Sequence, residues 1–405
     1  MAGVQNTPNQ GLEANNGSEN TFEIFFPGTH IFQSNTPLLL DSGQTLPSFK
    51  LAYETYGTLN EKKDNAILLC HALSGSSHVF QGTAQPPVGG WWDPMGDSGA
   101  AFDPAKYFII CVNILGSCYG SSGPASIDPE TGEPYGTSFP VVTVSDIVRA
   151  EKVLVDSLGI EKLLAVAGGS LGGMQALTWA TEYPDRVAAA IPIATSCQSS
   201  AQNIAFNEVG RQAIIADPHW NNGNYYGQEA PESGLAIARM IGHITYLSET
   251  SMRDRFGRRL ENSTSLGYEF DTDFAVESYL KYKGFSFTKR FDANAYLYIS
   301  KSIDYFDLTR GGERSLTQAF RHVKAKFLVL SYSSDWLYPP RESKCLMQAL
   351  KANNIDVSYC NIESNYGHDA FLLESETQNR LIGNFLKNLT TKNGACIVDD
   401  NGPAS

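Results

Sequence analysis

The chain has 405 residues, of which 42% are hydrophobic and 18% are charged, and its formal net charge is −13. This length can bury a large core, so a small disulfide-stapled scaffold is excluded and one large domain with an insertion, or two ordinary domains, is expected. The acidic balance repels polyanions, so we expect no nucleic-acid partner.

The seven cysteines are scattered along the chain without CxxC pairs. This pattern predicts neither a disulfide framework nor a zinc site, and it suits a reducing compartment. The sequence does not open with a basic segment followed by an apolar run, and it holds no stretch of roughly 18 uninterrupted apolar residues. We therefore expect a cytoplasmic enzyme from which nothing is cleaved and which has no membrane partner.

In chain order, a segment rich in Asn, Gly and Gln comes first, and residues 1–20 are predicted to be disordered, as is the tail 392–405. Between them, apolar β-prone runs alternate with helical patterns. The predicted strands are Ala66 to Cys70, Tyr107 to Asn113, Leu163 to Ala167, Ala188 to Ile193, Phe327 to Ser331 and Val357 to Ile362. Nearly continuous apolar strands separated by helices predict an α/β architecture, with a mostly parallel, doubly wound sheet covered on both faces.

This alternation stops after Ile193. Residues 196–316 are polar, aromatic and largely helical in pattern, which predicts a helical lid inserted into a core formed by residues 21–195 and 317–391. Such an insertion is expected to cover the carboxyl ends of the strands, where open α/β sheets bind ligands.

The strongest local signal is the run from Gly168 to Gly172, GGSLG, which fits G-x-S-x-G directly after a buried strand and before a helix. A serine on such a turn adopts a strained backbone and projects its hydroxyl at a helix N-terminus, where developing negative charge is favoured. Ser170 is therefore the candidate nucleophile.

A serine hydroxyl needs a base and an orienting carboxylate, which follow here in the order Ser, Asp, His. Asp335 and His368 each lie just past a predicted strand, so both are expected at the carboxyl edge of the sheet. Asp369 and Glu363 compete with Asp335, but a residue adjacent to the histidine cannot easily reach back to its ring, so Asp335 is preferred. The other six histidines are interpreted as structural hydrogen-bonding residues.

The loop after the first predicted strand, LLCHALSGSSHVF, lies where a second oxyanion donor is supplied in this arrangement. The N–H of Leu73 is the candidate, together with the N–H of Leu171. Both would donate from the backbone, so the identity of the side chain matters little.

These residues resemble the homoserine O-acetyltransferase family, whose members adopt the α/β-hydrolase fold. The resemblance extends from about Leu38 to Leu386 and rests on the segments LAYETYGTLN, ILLCHALSGSSHV, GWWDPMG, NILGSCYGSSGPASIDPETGEPYG, GGSLGGMQALTWA, ARMIGHITY and NYGHDAFLLE. The family usually has methionine after the nucleophile, and Leu171 departs from that pattern, although a backbone donor tolerates the change.

The resemblance implies Ser170 as nucleophile, His368 as base and Asp335 as its orienting carboxylate, and it implies that Arg239, Tyr246 and Asp369 hold the amino acid. A planar cation suits the carboxylate of a zwitterion, and an anion suits its ammonium group. Without the resemblance, we would interpret Arg239 as a solvated lid residue and Asp369 as a helix N-cap. The implied reaction is ping-pong transfer of an acetyl group from acetyl-CoA to L-homoserine, as in methionine biosynthesis.

Two alternatives share these motifs or this fold: a homoserine or serine O-succinyltransferase, and a serine hydrolase that releases the acyl group to water. A non-catalytic binding protein on the same scaffold is the alternative from another class. The sequence has no P-loop, no GxGxxG after a strand and no metal-ligand cluster, so no cofactor or metal is expected and acetyl-CoA would be a substrate. The family is commonly homodimeric through its lid helices, so a homodimer is expected.

Overall fold

The computed structural model describes residues 26–81 and 88–391, so the predicted disorder of residues 1–20 and 392–405 lies outside the described residues. The described strands are β1 His30–Ser34, β2 Leu38–Leu39, β3 Thr45–Leu46, β4 Phe49–Tyr56, β5 Ala66–Cys70, β6 Phe108–Val112, β7 Ala165–Gly169, β8 Ala189–Ile193, β9 Lys326–Tyr332 and β10 Val357–Ile362. Eight of them form one sheet in the order β1-β4-β6-β5-β7-β8-β9-β10, and β2 pairs with β3 separately.

Six neighbouring strands of this sheet run parallel to one another, namely β6, β5, β7, β8, β9 and β10. Strands β4 and β1 form an antiparallel edge beside β6. The predicted α/β fold with a mostly parallel sheet is therefore confirmed. Each predicted strand is present, with ends that differ by at most two residues. The prediction placed no strand before Ala66, so it missed the antiparallel edge.

The described α-helices are α1 Val144–Ser157, α2 Leu171–Glu182, α3 Ala201–Ile215, α4 Glu232–Tyr246, α5 Glu249–Arg255, α6 Ala275–Thr288, α7 Ala293–Asp304, α8 Leu316–Ala319, α9 Pro340–Ala352, α10 Ala370–Leu373 and α11 Ser375–Thr391. Short 3-10 turns occur at Asp93–Met95, Gly136–Ser138, Pro218–Gly223 and Gly367–Asp369. No described helix is both long and apolar enough to cross a lipid bilayer.

The sheet has a buried core on each face, because successive side chains of a strand point to opposite sides. In β5, Leu68 belongs to the core that also holds residues of α1, α2 and α9, and Leu69 belongs to the core that holds residues of α10 and α11. All five residues of β5 are buried. This two-sided burial explains why the parallel strands read as continuous apolar runs.

Between β8 and β9 the described chain forms helices α3 to α8 and adds no strand to the large sheet. The proposed lid, 196–316, encloses α3 to α7 and ends at the first residue of α8. The end of α4 lies against the loop that carries His368: Gly367 has a φ of +76°, and a Cβ on it would lie 2.5 Å from the backbone nitrogen of Ser248. Glycine is required there both for its backbone conformation and for space.

The core contains one buried carboxyl group that makes folding stability depend on pH. Glu151 on α1 is 1% exposed and accepts a 2.8 Å hydrogen bond from the indole N–H of Trp179. Burial raises the pKa of Glu151 from 4.5 to about 8, and the bond from Trp179 only partly opposes this. The folded chain therefore keeps the Glu151 proton between about pH 4.5 and pH 8, whereas the unfolded chain releases it.

Because the folded pKa is raised, the contribution of Glu151 to stability is complete below about pH 4.5 and is lost as pH rises toward 8, by up to about 1.4 kcal/mol per pH unit. Glu151→Gln keeps an oxygen acceptor for Trp179 and removes the titration. We expect the free energy of unfolding of this variant to exceed that of the native chain by about 2–4 kcal/mol at pH 8 and to approach it at pH 5. Urea unfolding at the two pH values measures this, with exposed Glu161→Gln as the control; a gap that does not change with pH would contradict the assignment.

Candidate active site

Ser170 lies at the sharp turn between β7 and α2. Its φ of 57° and ψ of −121° are strained for a residue with a side chain. The backbone is held in place because the N–H of Ser170 donates to the carbonyl of Ile193 at 2.9 Å, and the hydroxyl of Thr195 donates to the carbonyl of Ser170 at 2.8 Å. At Gly172 a Cβ would collide with the carbonyl of Cys70, so the last glycine of the motif lets α2 begin close to β5. The turn therefore presents the Ser170 hydroxyl at the N-terminus of α2.

The structure brings His368 and Asp335 together although they lie 33 positions apart in the sequence. The Nδ1–H of His368 donates to Oδ2 of Asp335 at 2.8 Å, and the side chains are 3% and 0% exposed. The other carboxylate oxygen, Oδ1, accepts backbone N–H bonds from Leu337 at 3.0 Å and Tyr338 at 2.9 Å. The carboxylate is thus fixed by three donors, and Nε2 of His368 is left as the nitrogen that can accept a proton.

Tyr338 lies next to both Ser170 and this pair. Its ring lies 5.1 Å from the ring of His368, centroid to centroid, and it lines the same cavity as Ser170. Burial raises the pKa of Tyr338, so its hydroxyl stays protonated. Sequence reasoning did not select Tyr338, since a tyrosine three residues after an aspartate carries no local signal of such a contact.

A cavity of about 50 Å³ lies at Ser170. Leu73 and Tyr246, two other predicted site residues, line it, together with side chains of lid helices α3, α4 and α7 such as Phe206, Ile241 and Tyr296. Helices α3, α4 and α7 therefore contribute directly to the space in front of Ser170, and a small space of this kind limits the water that can reach its hydroxyl.

The loop that carries Leu73 is fixed at several points beside that residue. The carbonyl of His71 accepts a 3.2 Å hydrogen bond from Gln175 on α2, and the carbonyl of Ser74 accepts a 3.3 Å hydrogen bond from Arg290. Burial lowers the pKa of His71 to about 4, so its ring is neutral and its Nε2 accepts a 3.2 Å hydrogen bond from the N–H of Ile114. Leu171 is the first residue of α2, where backbone N–H groups have no partner within the helix. Leu73 and Leu171 thus flank the Ser170 turn from a fixed loop and from a helix N-terminus.

Arg239, Tyr246 and Asp369 lie at the same end of the sheet. The guanidinium of Arg239 lies 5.6 Å from the ring centroid of Tyr246 and donates a 3.2 Å hydrogen bond to the hydroxyl of Ser74. The ring of Tyr246 in turn lies 6.1 Å from the ring of His368. Burial raises the pKa of Asp369, and the charges of His368 and Arg239 oppose this rise. A cation and an anion from different elements, Arg239 and Asp369, are therefore close enough for their charges to interact.

Comparison with known proteins defines the class first. Residues 65–375 match the family model described as alpha/beta hydrolase fold, so the chain is an α/β-hydrolase-fold protein. It is 57% identical over 361 residues to the homoserine O-acetyltransferase of Methanohalobium evestigatum, an alignment that covers 88% of this chain and 73% of that relative. The chain therefore belongs to the homoserine O-acetyltransferase family, and the resemblance seen in the sequence is confirmed.

Two solved structures are similar over most of the chain. One is the homoserine O-acetyltransferase of Bacillus anthracis, with a TM-score of 0.82 and 30% identity, covering 88% of this chain and 97% of that chain. The other is esterase E22, with a TM-score of 0.81 and 32% identity, covering 88% and 99% of the two chains. The same fold thus carries both transferase and esterase names among its relatives.

Proposed function

We propose that the chain transfers an acetyl group from acetyl-CoA to the hydroxyl of L-homoserine through an acyl-Ser170 intermediate, a step that serves methionine biosynthesis. The observation that carries this proposal is the buried His368–Asp335 pair, which packs against Tyr338 at the cavity of a strained serine at a helix N-terminus. The names of the relatives, at up to 57% identity, support the choice of substrates.

In the first half-reaction, Nε2 of His368 removes the proton of Ser170, and the serine oxygen attacks the thioester carbonyl. The backbone N–H groups of Leu73 and Leu171 stabilise the oxyanion. The carbon–sulfur bond then breaks, and the thiolate takes the proton from His368 and leaves as CoA. Asp335 keeps the imidazole oriented and stabilises its protonated form. The acetyl group remains as an ester on Ser170.

In the second half-reaction, Arg239 binds the carboxylate of homoserine, and Asp369 with Tyr246 binds its ammonium group. His368 removes the proton of the homoserine hydroxyl, whose oxygen attacks the acyl-enzyme. The bond to Ser170 breaks, Ser170 recovers the proton from His368, and O-acetylhomoserine leaves. The acetyl-CoA is a substrate in this scheme, and no resident cofactor takes part.

A substitution of Arg239 should affect the half-reaction with homoserine much more than the half-reaction with acetyl-CoA. We expect Arg239→Gln to lower kcat/KM for homoserine by about 100-fold, because the carboxylate loses a partly desolvated cationic partner. Release of CoA from acetyl-CoA alone should change by less than about threefold. Steady-state rates with varied homoserine and a rapid-quench measurement of CoA release give the two values. Equal losses in both half-reactions would contradict this role.

Ester hydrolysis is the second candidate, because a structure with a TM-score of 0.81 is named an esterase. The small cavity and the lid residues that line it favour transfer, since water competes with homoserine for the acyl-enzyme. Product analysis with acetyl-CoA, with and without homoserine, tests the choice. We expect O-acetylhomoserine as the main product and only slow release of acetate; acetate at an equal rate in both samples would indicate a hydrolase.

Donor and acceptor can be tested in the same assay. Acetyl-CoA and succinyl-CoA are each paired with homoserine and with serine, and the four values of kcat/KM are compared. The highest value is expected for acetyl-CoA with homoserine. A higher value for a succinyl or serine pair would reassign the substrate and leave the mechanism intact.

We also propose a cytoplasmic homodimer that associates through the lid. Apolar side chains remain exposed on three neighbouring lid helices, and a second copy would cover them. They are Ile204, Val209, Ile237, Ile244, Tyr282 and Phe285. All six cysteines among the described residues are free thiols, which accords with a reducing compartment.

A further inference from the structure

Tyr279 on α6 lies between two cations that come from different lid helices. The guanidinium carbon of Arg255, at the end of α5, is 5.2 Å from its ring centroid, and Nζ of Lys283 is 6.0 Å from it. The Tyr279 hydroxyl donates a 3.0 Å hydrogen bond to Nδ1 of His243 on α4. We call Arg255 and Lys283 the outer cation pair.

A second pair of cations lies deeper, toward the nucleophile. The guanidinium carbons of Arg239 and Arg290 lie 4.6 Å and 4.9 Å from the ring centroid of Phe287. Both side chains reach Ser74 in the loop beside Leu73, at 3.2 Å and 3.3 Å. This inner pair therefore belongs to the acceptor side of the site, where Arg239 is proposed to bind homoserine.

The four cations lie close enough together for all their charges to act on His243. The ion pairs of the lid within the described residues join carboxylates to Arg211, His219, Arg253 and Lys289, and to none of these four cations. Burial, followed by the charges of Arg239, Lys283, Arg290 and Arg255, lowers the pKa of His243 to about 2. Burial and the neighbouring arginines also lower the pKa of Lys283, and Asp369 partly opposes them.

Homoserine does not relieve this excess of positive charge. It is a zwitterion, so its carboxylate and ammonium groups together add no net charge beside Arg239 and Asp369. The acyl donor of the proposed reaction is different, because its nucleotide end carries a diphosphate and a 3′-phosphate. Phosphate oxygens bind arginine and lysine through strong charge-assisted hydrogen bonds, and a solvent-accessible cation pair that forms no ion pair with a carboxylate in the described part of the chain suits them.

A chain of contacts also links the outer cation pair to His368. Four contacts lead from His368 to Arg255: through Tyr246 at 6.1 Å, His243 at 5.9 Å and Tyr279 at 5.6 Å, and then to the guanidinium at 5.2 Å. The pantetheine arm that separates the thioester from the diphosphate spans about fifteen covalent bonds, or roughly 15–20 Å when extended. Because these four steps together are an upper bound on the direct separation, an arm of that length is of the order needed to join the reacting atoms to the outer pair.

We propose that Arg255 and Lys283 form the site that binds the phosphate groups of the acyl-CoA donor. This inference rests on the proposed function. The pair holds the nucleotide end outside the site, and the pantetheine arm carries the acyl group past Tyr246 to Ser170. In this proposal the lid provides Arg239, which binds the acceptor homoserine, and also Arg255 and Lys283, which bind the acyl-CoA donor.

A pair of donors that differ in their phosphates tests this site. We expect Arg255→Gln/Lys283→Gln to lower kcat/KM for acetyl-CoA by about tenfold or more, with KM rising and kcat retained. The values for S-acetyl-N-acetylcysteamine, a thioester without phosphates, should change by less than about twofold. Arg253→Gln is the matched control, because Arg253 lies on the same helix but is paired with Glu249 at 3.0 Å. Equal losses with both donors, or no loss with acetyl-CoA, would overturn the assignment.

Calorimetric binding of CoA and of pantetheine keeps the test independent of turnover. The native chain should bind CoA more tightly than pantetheine. This difference in affinity should shrink in about 0.5 M salt, because salt screens the attraction between the exposed cations and the phosphates. The double variant should lose the difference. If the native chain binds both equally, the phosphate site is refuted. If instead the native chain prefers CoA but makes no product from either thioester and homoserine, the phosphate site stands and the proposed reaction fails.

Discussion

Ser170→Ala is expected to lower the rate of acetyl transfer by about 10⁴-fold or more while the chain stays folded. Only the side-chain hydroxyl group is removed, and no acyl-serine intermediate can form without it. Alanine accepts the strained turn as well as serine does, because the hydrogen bonds that hold the turn come from the backbone of residue 170 and from Thr195. Steady-state transfer measured with both substrates saturating, together with a thermal unfolding curve, checks both halves of the expectation.

Ser343→Ala is the matched control, because Ser343 on α9 is 1% exposed and its hydroxyl has no hydrogen-bond partner among the described residues. This variant should transfer acetyl groups at the native rate to within about twofold. A Ser170→Ala chain that retained a tenth of the native rate would rule out covalent catalysis at this serine.

Asp335→Asn is expected to lower kcat by about 10⁴-fold at neutral pH. The amide keeps the shape of the carboxylate but can present an N–H to Nδ1 of His368, which favours the tautomer with its proton on Nε2. That tautomer cannot accept the proton of Ser170. The loss should appear in CoA release from acetyl-CoA alone, since both half-reactions need the same base, and rapid-quench kinetics measure it.

Glu363→Gln is the control for this variant, because Glu363 is, with Asp369, one of the two carboxylates that competed with Asp335 in the sequence analysis. Glu363 is exposed, whereas His368 bonds to Asp335 at 2.8 Å. Glu363→Gln should keep the native rate to within about twofold. A large loss in Glu363→Gln with a small loss in Asp335→Asn would exchange the two roles.

The buried parallel strands could be predicted because they are apolar runs between turn residues, and β5, which is buried throughout, has the predicted ends. The edge strand β10 also has the predicted ends, although only its last residue is buried. The end of β7 was placed two residues too early. Its Gly168 and Gly169 pair with β8, yet glycines carry no strand propensity. The strands β1 and β4 were missed because they form an antiparallel edge in which exposed and buried residues are mixed.

Some residues of the candidate site could likewise be predicted from the sequence, and others could not. Ser170 could be predicted because its whole setting, strand, turn and helix, is local in the sequence. His368 and Asp335 could be proposed from their positions after strands, since parallel strands bring such positions to one edge. Arg290 and the outer cation pair had no local signal, because lid residues take their positions only through the packing of the lid helices. Tyr338 belongs to the core, but its contact with His368 depends on the fold and leaves no pattern in the sequence.

The most direct measurement of the central claim is the covalent state of the chain after mixing with acetyl-CoA in the absence of homoserine. Acid quenching, digestion and mass spectrometry should place one acetyl group on the peptide that contains Ser170, on that serine, with an equal amount of CoA released. Adding homoserine should discharge the label as O-acetylhomoserine. Transfer to homoserine by a chain that never carries acetyl on Ser170 would contradict the account.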